Sequence, residues 1–259
     1  MDESYRGTYR SSAMVMDYPG GAYACYGPSG AMYPPVCFGQ TPPGRVRVVG
    51  WSWTGLTPSG QTPHLWAIVN LVGQYADGTF TITGPVTQGT ATDPFPGRRW
   101  PLSTPCPTPA EGRAPVRPSV ATLDASDLAA TYAKAQNGFG AMWVDERNPA
   151  GVPYSRPYDP LTFVLNISTT GDTAALEHGI RQIWGGALCV SHTDHSAEQL
   201  QQVKAALEKD PLAVRVVTEE QTGQVRLEVL RATYQEQQKL DTQFGAGTVR
   251  LYGWLEPTS

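Results

Sequence analysis

The densest cluster of metal-ligand and acid–base residue types in the chain is Cys189, His192, Asp194 and His195. Zinc takes thiolate, imidazole and carboxylate ligands, and a histidine beside an aspartate is the base half of a hydrolase triad. Cys-x-x-His-x-x-His is not a standard zinc spacing, however. The cysteine falls in a predicted strand and both histidines in the loop after it, so a core cysteine followed by polar loop residues is the competing reading. Ser191 adds a nucleophile type, but no Gly-x-Ser-x-Gly elbow is present. Gly84 and Gly89 form no phosphate loop, and no Gly-x-Gly-x-x-Gly precedes a helix. The paired carboxylates Asp145-Glu146 and Glu219-Glu220 read as solvated turn charges. We therefore assign no catalytic residue, no metal site and no cofactor from the sequence. A hydrolase or metal-dependent enzyme around His192, Asp194 and His195 stands as an alternative, on condition that these side chains converge in a pocket of low solvent access.

The four cysteines, Cys25, Cys37, Cys106 and Cys189, permit two disulfides in three pairings. Cys25 and Cys37 flank a loop containing Tyr33-Pro34-Pro35, and Cys106 sits in a Pro-rich stretch where an exposed thiol would be a liability. The expected bridges are Cys25–Cys37 and Cys106–Cys189, against four reduced thiols in a cytosolic protein. Binding chemistry has two further candidates. Trp51 and Trp53 would share one face of a strand, as a platform or as core. The segment 146–160 offers Arg147, Tyr154, Arg156 and Tyr158, residue types enriched in binding hot spots; a solvated loop is the alternative.

The elements that must position these residues divide the chain. Of 23 prolines, 21 lie in residues 1–160. Residues 1–86 read as a small antiparallel β module, with strands at 11–17, 22–26, 45–53, 64–75 and 79–83. Residues 87–120, rich in proline, read as a linker. Residues 121–259 read as an α+β domain. Helices are predicted at 124–136, its face formed by Leu128, Ala129, Tyr132 and Ala135, and at 172–184, ending at Gly185-Gly186. Two more are predicted from the capping boxes Ser196-x-x-Gln199 and Thr233-x-x-Glu236. With the intervening strands, the order αββαβ occurs twice, at about 124–190 and 196–254. Counting residues 187–190 as an opening strand makes the second half βαββαβ, the ferredoxin-like order; the expectation is two tandem ferredoxin-like (αββαβ) units, with helices on one face of an antiparallel sheet.

Composition narrows the function classes. The chain has 259 residues, 40% hydrophobic and 16% charged, with a net charge of −4 and a pI near 5.6. That balance gives no electrostatic case for nucleic acid or an anionic membrane. No apolar run of about 18 residues occurs, so no transmembrane segment is expected. Residues 1–6 contain no apolar signal-peptide core, which fits either a cytoplasmic protein or a chain beginning after a removed leader.

Three stretches carry a resemblance: Cys25-Tyr26-Gly27 with Tyr33-Pro34-Pro35-Val36-Cys37 and Gly50-Trp51-Ser52-Trp53; Trp184-Gly185-Gly186-Ala187-Leu188-Cys189-Val190; and Phe244-Gly245-Ala246-Gly247-Thr248-Val249-Arg250. Over about residues 11–255 the chain resembles an uncharacterised group of actinobacterial envelope or secreted proteins. The resemblance implies an extracytoplasmic location and paired cysteines, and transfers no activity. The expectation is a non-catalytic binding or scaffolding protein of the cell envelope, its partner another protein or an envelope polymer. A chaperone- or inhibitor-like module docking through an open sheet face is a further alternative.

Overall fold

A computed structural model describes residues 5–27, 35, 37, 43–62, 64–90, 103–107, 114–146, 159–219 and 221–258. Two compact units are formed: Met1–Arg98 with Lys204–Val217 and Val225–Ser259, and Arg99–Val203 with Thr218–Gln224. The division separates most of the first αββαβ repeat from most of the second.

In the first unit the strands are β1 (Tyr9–Tyr18), β2 (Gly21–Cys25), β3 (Arg45–Val49), β4 (Ser59–Gln61), β5 (His64–Ala76), β6 (Thr79–Ile82) and β7 (Thr87–Gln88). β1 pairs antiparallel with both β2 and β5, β2 antiparallel with β3, β3 parallel with β6, and β6 antiparallel with β5. The ring β1-β2-β3-β6-β5 is therefore a closed five-stranded barrel, not the wholly antiparallel module expected. So few strands leave little interior room, and alternation fills it with small residues: Ala13, Val15, Ala22, Ala24, Val46, Val48, Ala67 and Val69, with Phe80 and Leu71. The tight turn between β5 and β6 is the one Asp77-Gly78 predicts; Asp77, at φ 48°, enters the left-handed region such a turn needs.

The expected strand 45–53 is corrected. β3 stops at Val49 because Gly50 turns to φ +80°, a conformation side chains disfavour. Trp51 and Trp53 consequently lie beyond the strand and share no strand face.

The second unit holds most of the first repeat: α1 (Leu123–Lys134), β8 (Phe139–Glu146), β9 (Phe163–Thr169), α2 (Thr173–Ile183) and β10 (Ala187–His192). Its sheet runs β8-β9-β10, antiparallel then parallel. Ala129 and Ala133 of α1 pack with Leu176 and Ile180 of α2 against Phe163, Leu165 and Ile167 of β9. Both helices thus shelter one face. Thr122 caps α1 through the Ala125 amide, and Asp172 caps α2 through Ala174 and Ala175. Of the predicted face of α1, Ala129 is buried and Tyr132 packs against the core, whereas Leu128 is 61% exposed and Ala135 is exposed; Ala130 and Ala133 are buried in their place. Gly185 marks the end of α2, but for space: a Cβ there would collide with the Arg117 carbonyl and Val120.

The opposite face of this sheet is covered as well. Thr104 donates from its amide and hydroxyl to Asp145 Oδ2 at 2.8 and 2.6 Å, and Trp143 Nε1 donates to the Ser103 carbonyl at 3.1 Å. The Cys106–Cys189 disulfide, Cα–Cα 5.8 Å, closes the strap. Beneath it Trp143, Val164, Asn166 and Cys189 are buried.

The second repeat comprises α3 (Ala197–Leu207), β11 (Ala213–Glu219), β12 (Gln224–Val229), α4 (Tyr234–Phe244) and β13 (Val249–Gly253), followed by β14 (Glu256–Pro257). Its sheet runs β11-β12-β13, with β12 and β13 parallel. The capping box at Thr233 and Glu236 is formed as predicted. Leu230, Trp254 and Leu255 join the barrel core, and β14 pairs with β1.

The ferredoxin-like expectation is corrected at its opening strand. Residues 187–192 pair with β9, where the helical crossover of α2 returns the chain. That strand completes the first repeat, within the expected bounds 124–190, rather than opening the second, and the sheet β8-β9-β10 is mixed rather than antiparallel.

Candidate functional site

The outer wall of the barrel carries the described side chains best placed for recognition. Strand alternation that sends Val46 and Val48 inward sends Arg45 and Arg47 outward. Register sets Tyr23 opposite Arg47, and Cys25 opposite Arg45. The Arg45 guanidinium lies 4.0 Å from the Tyr23 ring centroid and 4.5 Å from that of Tyr18. Tyr18 meets Tyr23 edge-on at 5.9 Å and His64 at 6.4 Å. The side chains form one row: His64, Tyr18, Arg45, Tyr23, Arg47. Stacking on aromatic faces holds the Arg45 guanidinium in place, with its Nε buried. None of the ion pairs among the described residues involves Arg45 or Arg47.

Beside this row the wall is packed. Met14, Met16 and Cys25 are buried with Trp66, Ile68 and Cys37 around them. The Cys25–Cys37 disulfide, Cα–Cα 5.2 Å, holds residue 37 against β2. Both expected bridges are formed, and they account for all four cysteines.

Trp51 and Trp53 are half-buried against the barrel core with Leu56. Their rings meet edge-to-face at 4.9 Å, and Trp53 Nε1 donates to Asp17 Oδ2 at 3.0 Å. This combines the two sequence readings, a pair of rings packed on the core but partly open to solvent. Arg147, Tyr154, Arg156 and Tyr158 lie outside the described residues. At the end of that segment Asp159 Oδ1 accepts from the Leu161 amide at 2.9 Å.

The His192 cluster does not assemble a site. His192 Nε2 is 3.9 Å from Asp194 Oδ1, with the two side chains 62% and 90% exposed. Cys189 is bonded to Cys106, which removes the thiolate from a ligand set. The low-access convergence that a hydrolase needs there is not present. Among the described residues no group of three or more His, Cys, Asp or Glu is placed to hold a metal ion. The covered second face of the first sheet also gives no open surface there for docking.

One pocket of about 360 Å³ lies in the first unit, lined by Pro43, Tyr75, Leu212, Leu230, Arg231 and Glu236, among others. Its polar groups already have structural duties. Arg231 donates to the Tyr5 carbonyl at 3.1 Å, and Glu236 Oε2 accepts from the Thr233 amide and hydroxyl at 3.0 and 2.9 Å. Burial pushes the Tyr75 hydroxyl above its usual range, with the Arg231 charge opposing. Nothing in the lining pairs an acid with a base for proton transfer.

Sequence reasoning missed Tyr18, Tyr23, Arg45 and Arg47. Tyr18 falls between the predicted strands 11–17 and 22–26, but the alternation Arg45-Val46-Arg47-Val48 carries the information: one face of that strand is charged. No family model and no curated protein sequence matches the chain.

Proposed function

We propose that this is a non-catalytic, extracytoplasmic binding protein whose recognition surface is the outer wall of the five-stranded barrel. The observation that carries the reading is Arg45 held between the Tyr18 and Tyr23 rings, with Arg47 beside it. Recognition surfaces combine rigid aromatics with arginine because both give contact at low entropic cost. Two disulfides support an oxidising compartment, since such bonds are rare in reducing ones. The barrel's strand order, with one parallel pair, is that of OB-type barrels, whose second and third strands bind oligonucleotides or oligosaccharides; this is an argument by analogy. In this chain those strands are β2 and β3, which carry Tyr23, Arg45 and Arg47. The reading retains the likeness to actinobacterial envelope proteins as part of the proposal, and the partner as a polymer or another protein of that compartment.

The test is depletion of the protein from solution by a panel of immobilised polysaccharides. Wild type is expected to be retained on at least one of them and the Tyr18→Ala/Tyr23→Ala variant released. Equal retention of the two proteins, or none of either, would refute the proposal. Alkylation without reductant followed by intact mass is expected to show no modified cysteine.

A further inference from the structure

We infer that the ligand of this wall is an acidic polysaccharide, its carboxylates met by Arg45 and Arg47. The inference rests on the wall being a recognition surface and adds the chemistry of what is recognised.

The Arg45 guanidinium lies over the tyrosine rings, 4.0 Å from one centroid and 4.5 Å from the other. It therefore occupies ring faces on which a neutral sugar or a nucleobase would stack. What the row presents is the half-buried Arg45 guanidinium, its Nε buried, and the exposed side chain of Arg47, while the Tyr18 hydroxyl already donates to Met16 Sδ at 3.4 Å. The two guanidiniums are donors, and guanidinium donors fit a carboxylate in bidentate geometry. Among the described residues no carboxylate forms an ion pair with either arginine.

The shape of the surface selects a polymer over a small anion. The wall is the outside of a barrel, and the pocket reported for this unit is lined by other residues. A single carboxylate on an exposed arginine gains at most about 1 kcal/mol. Arg45 and Arg47 project from the same side of β3, roughly 6.6 Å apart along the strand. The row continues through Tyr18 to His64. A chain with an anionic group on each repeat engages several of these positions together, and each contact after the first is intramolecular. Nucleic acid is the less suited polyanion, because base stacking needs the ring faces that Arg45 covers. The row backs onto the buried cluster of Met14, Met16 and Cys25, and a pre-packed surface lowers the ordering cost of binding.

The experiment measures affinity of the full, oxidised chain for polygalacturonate, for neutral dextran and for a single-stranded oligothymidylate, with Arg45→Ala, Arg47→Glu and Tyr18→Ala/Tyr23→Ala alongside wild type. The expected result is binding to polygalacturonate in preference to both others, weakened about fivefold by each arginine variant and weakened by added salt. Arg47 is exposed, so Arg47→Glu keeps the fold, and an unchanged circular dichroism spectrum checks that. Failure to bind polygalacturonate, or binding untouched by both arginine variants, overturns the inference. Dextran bound as tightly as polygalacturonate, with loss only in the tyrosine variant, overturns the acidic ligand while leaving the wall as the recognition surface. Tighter binding of the oligothymidylate overturns the choice of polysaccharide. No binding of any probe overturns the inference and counts against the wall itself.

Discussion

Replacing both Cys106 and Cys189 by alanine should destabilise the protein more than replacing Cys25 and Cys37. The bridged residues are 83 positions apart in the first pair and 12 in the second. A chain-entropy model makes the constraint on the unfolded state worth about 4.5 kcal/mol for the long loop and about 3 kcal/mol for the short one. Packing adds to the difference. Cys189 is buried beside Val164 and Ala187, under the strap, so its loss also removes apolar contacts. Without the bridge, the hydrogen bonds that remain on Ser103 and Thr104 include Thr104–Asp145, Trp143–Ser103 and Gln221–Ser103. Urea unfolding followed by tryptophan fluorescence reads the stability change. Hydrogen exchange localises it, because the Thr104 amide and the β9 amides should lose protection while the barrel strands keep theirs. A smaller loss for Cys106→Ala/Cys189→Ala than for Cys25→Ala/Cys37→Ala, or unchanged protection of Thr104, would refute the view that the strap clamps this sheet.

Further outcomes are expected elsewhere. Leu128→Glu should change the urea midpoint little, by no more than about 0.5 kcal/mol, whereas Ala129→Glu puts a charge at a fully buried position and should unfold the first repeat; similar effects at both sites would contradict the observed face of α1. Thr233→Ala removes the side-chain acceptor for the Glu236 amide and should cost about 1 kcal/mol in the same assay. Burial holds the Tyr26 hydroxyl well above its ordinary pKa of 10.0. A raised folded-state pKa gives stability that is complete below pH 10 and is lost as pH climbs beyond it, by up to about 1.4 kcal/mol per pH unit. Tyr26→Phe should flatten that alkaline decline, measured by urea unfolding between pH 9 and 12; an identical slope in the variant would count against Tyr26 as its source.

Local signals in the sequence carried much of this architecture. Thr233-x-x-Glu236, Asp77-Gly78 and the alternation in residues 79–83 each state a conformation within a few positions, and each is formed. The αββαβ order is likewise a sum of local patterns. Barrel closure was not accessible in this way. It depends on β1 pairing with β5, 54 residues apart at the Met14–Ile68 pair, and no local pattern encodes which strands meet. The sheet membership of residues 187–190 failed for the same reason: an apolar run states that a strand is buried, not which neighbour it pairs with. On α1, alanines at 129 and 133 pack with Leu176 and Ile180 of α2, so the larger Leu128 does not mark the core side. At the candidate site, the residue types were visible, but the stacking of Arg45 on two tyrosines from different strands is a product of register.

Amide spectra of the isotope-labelled protein, recorded as galacturonate oligomers are added, bear most closely on the proposed recognition surface. Progressive, saturable shifts are expected along β1–β3 around Tyr18, Tyr23, Arg45 and Arg47, with the pocket around Arg231 and Glu236 unchanged. Shifts gathered at that pocket, or none anywhere at saturating oligomer, would contradict the assignment of recognition to the barrel wall.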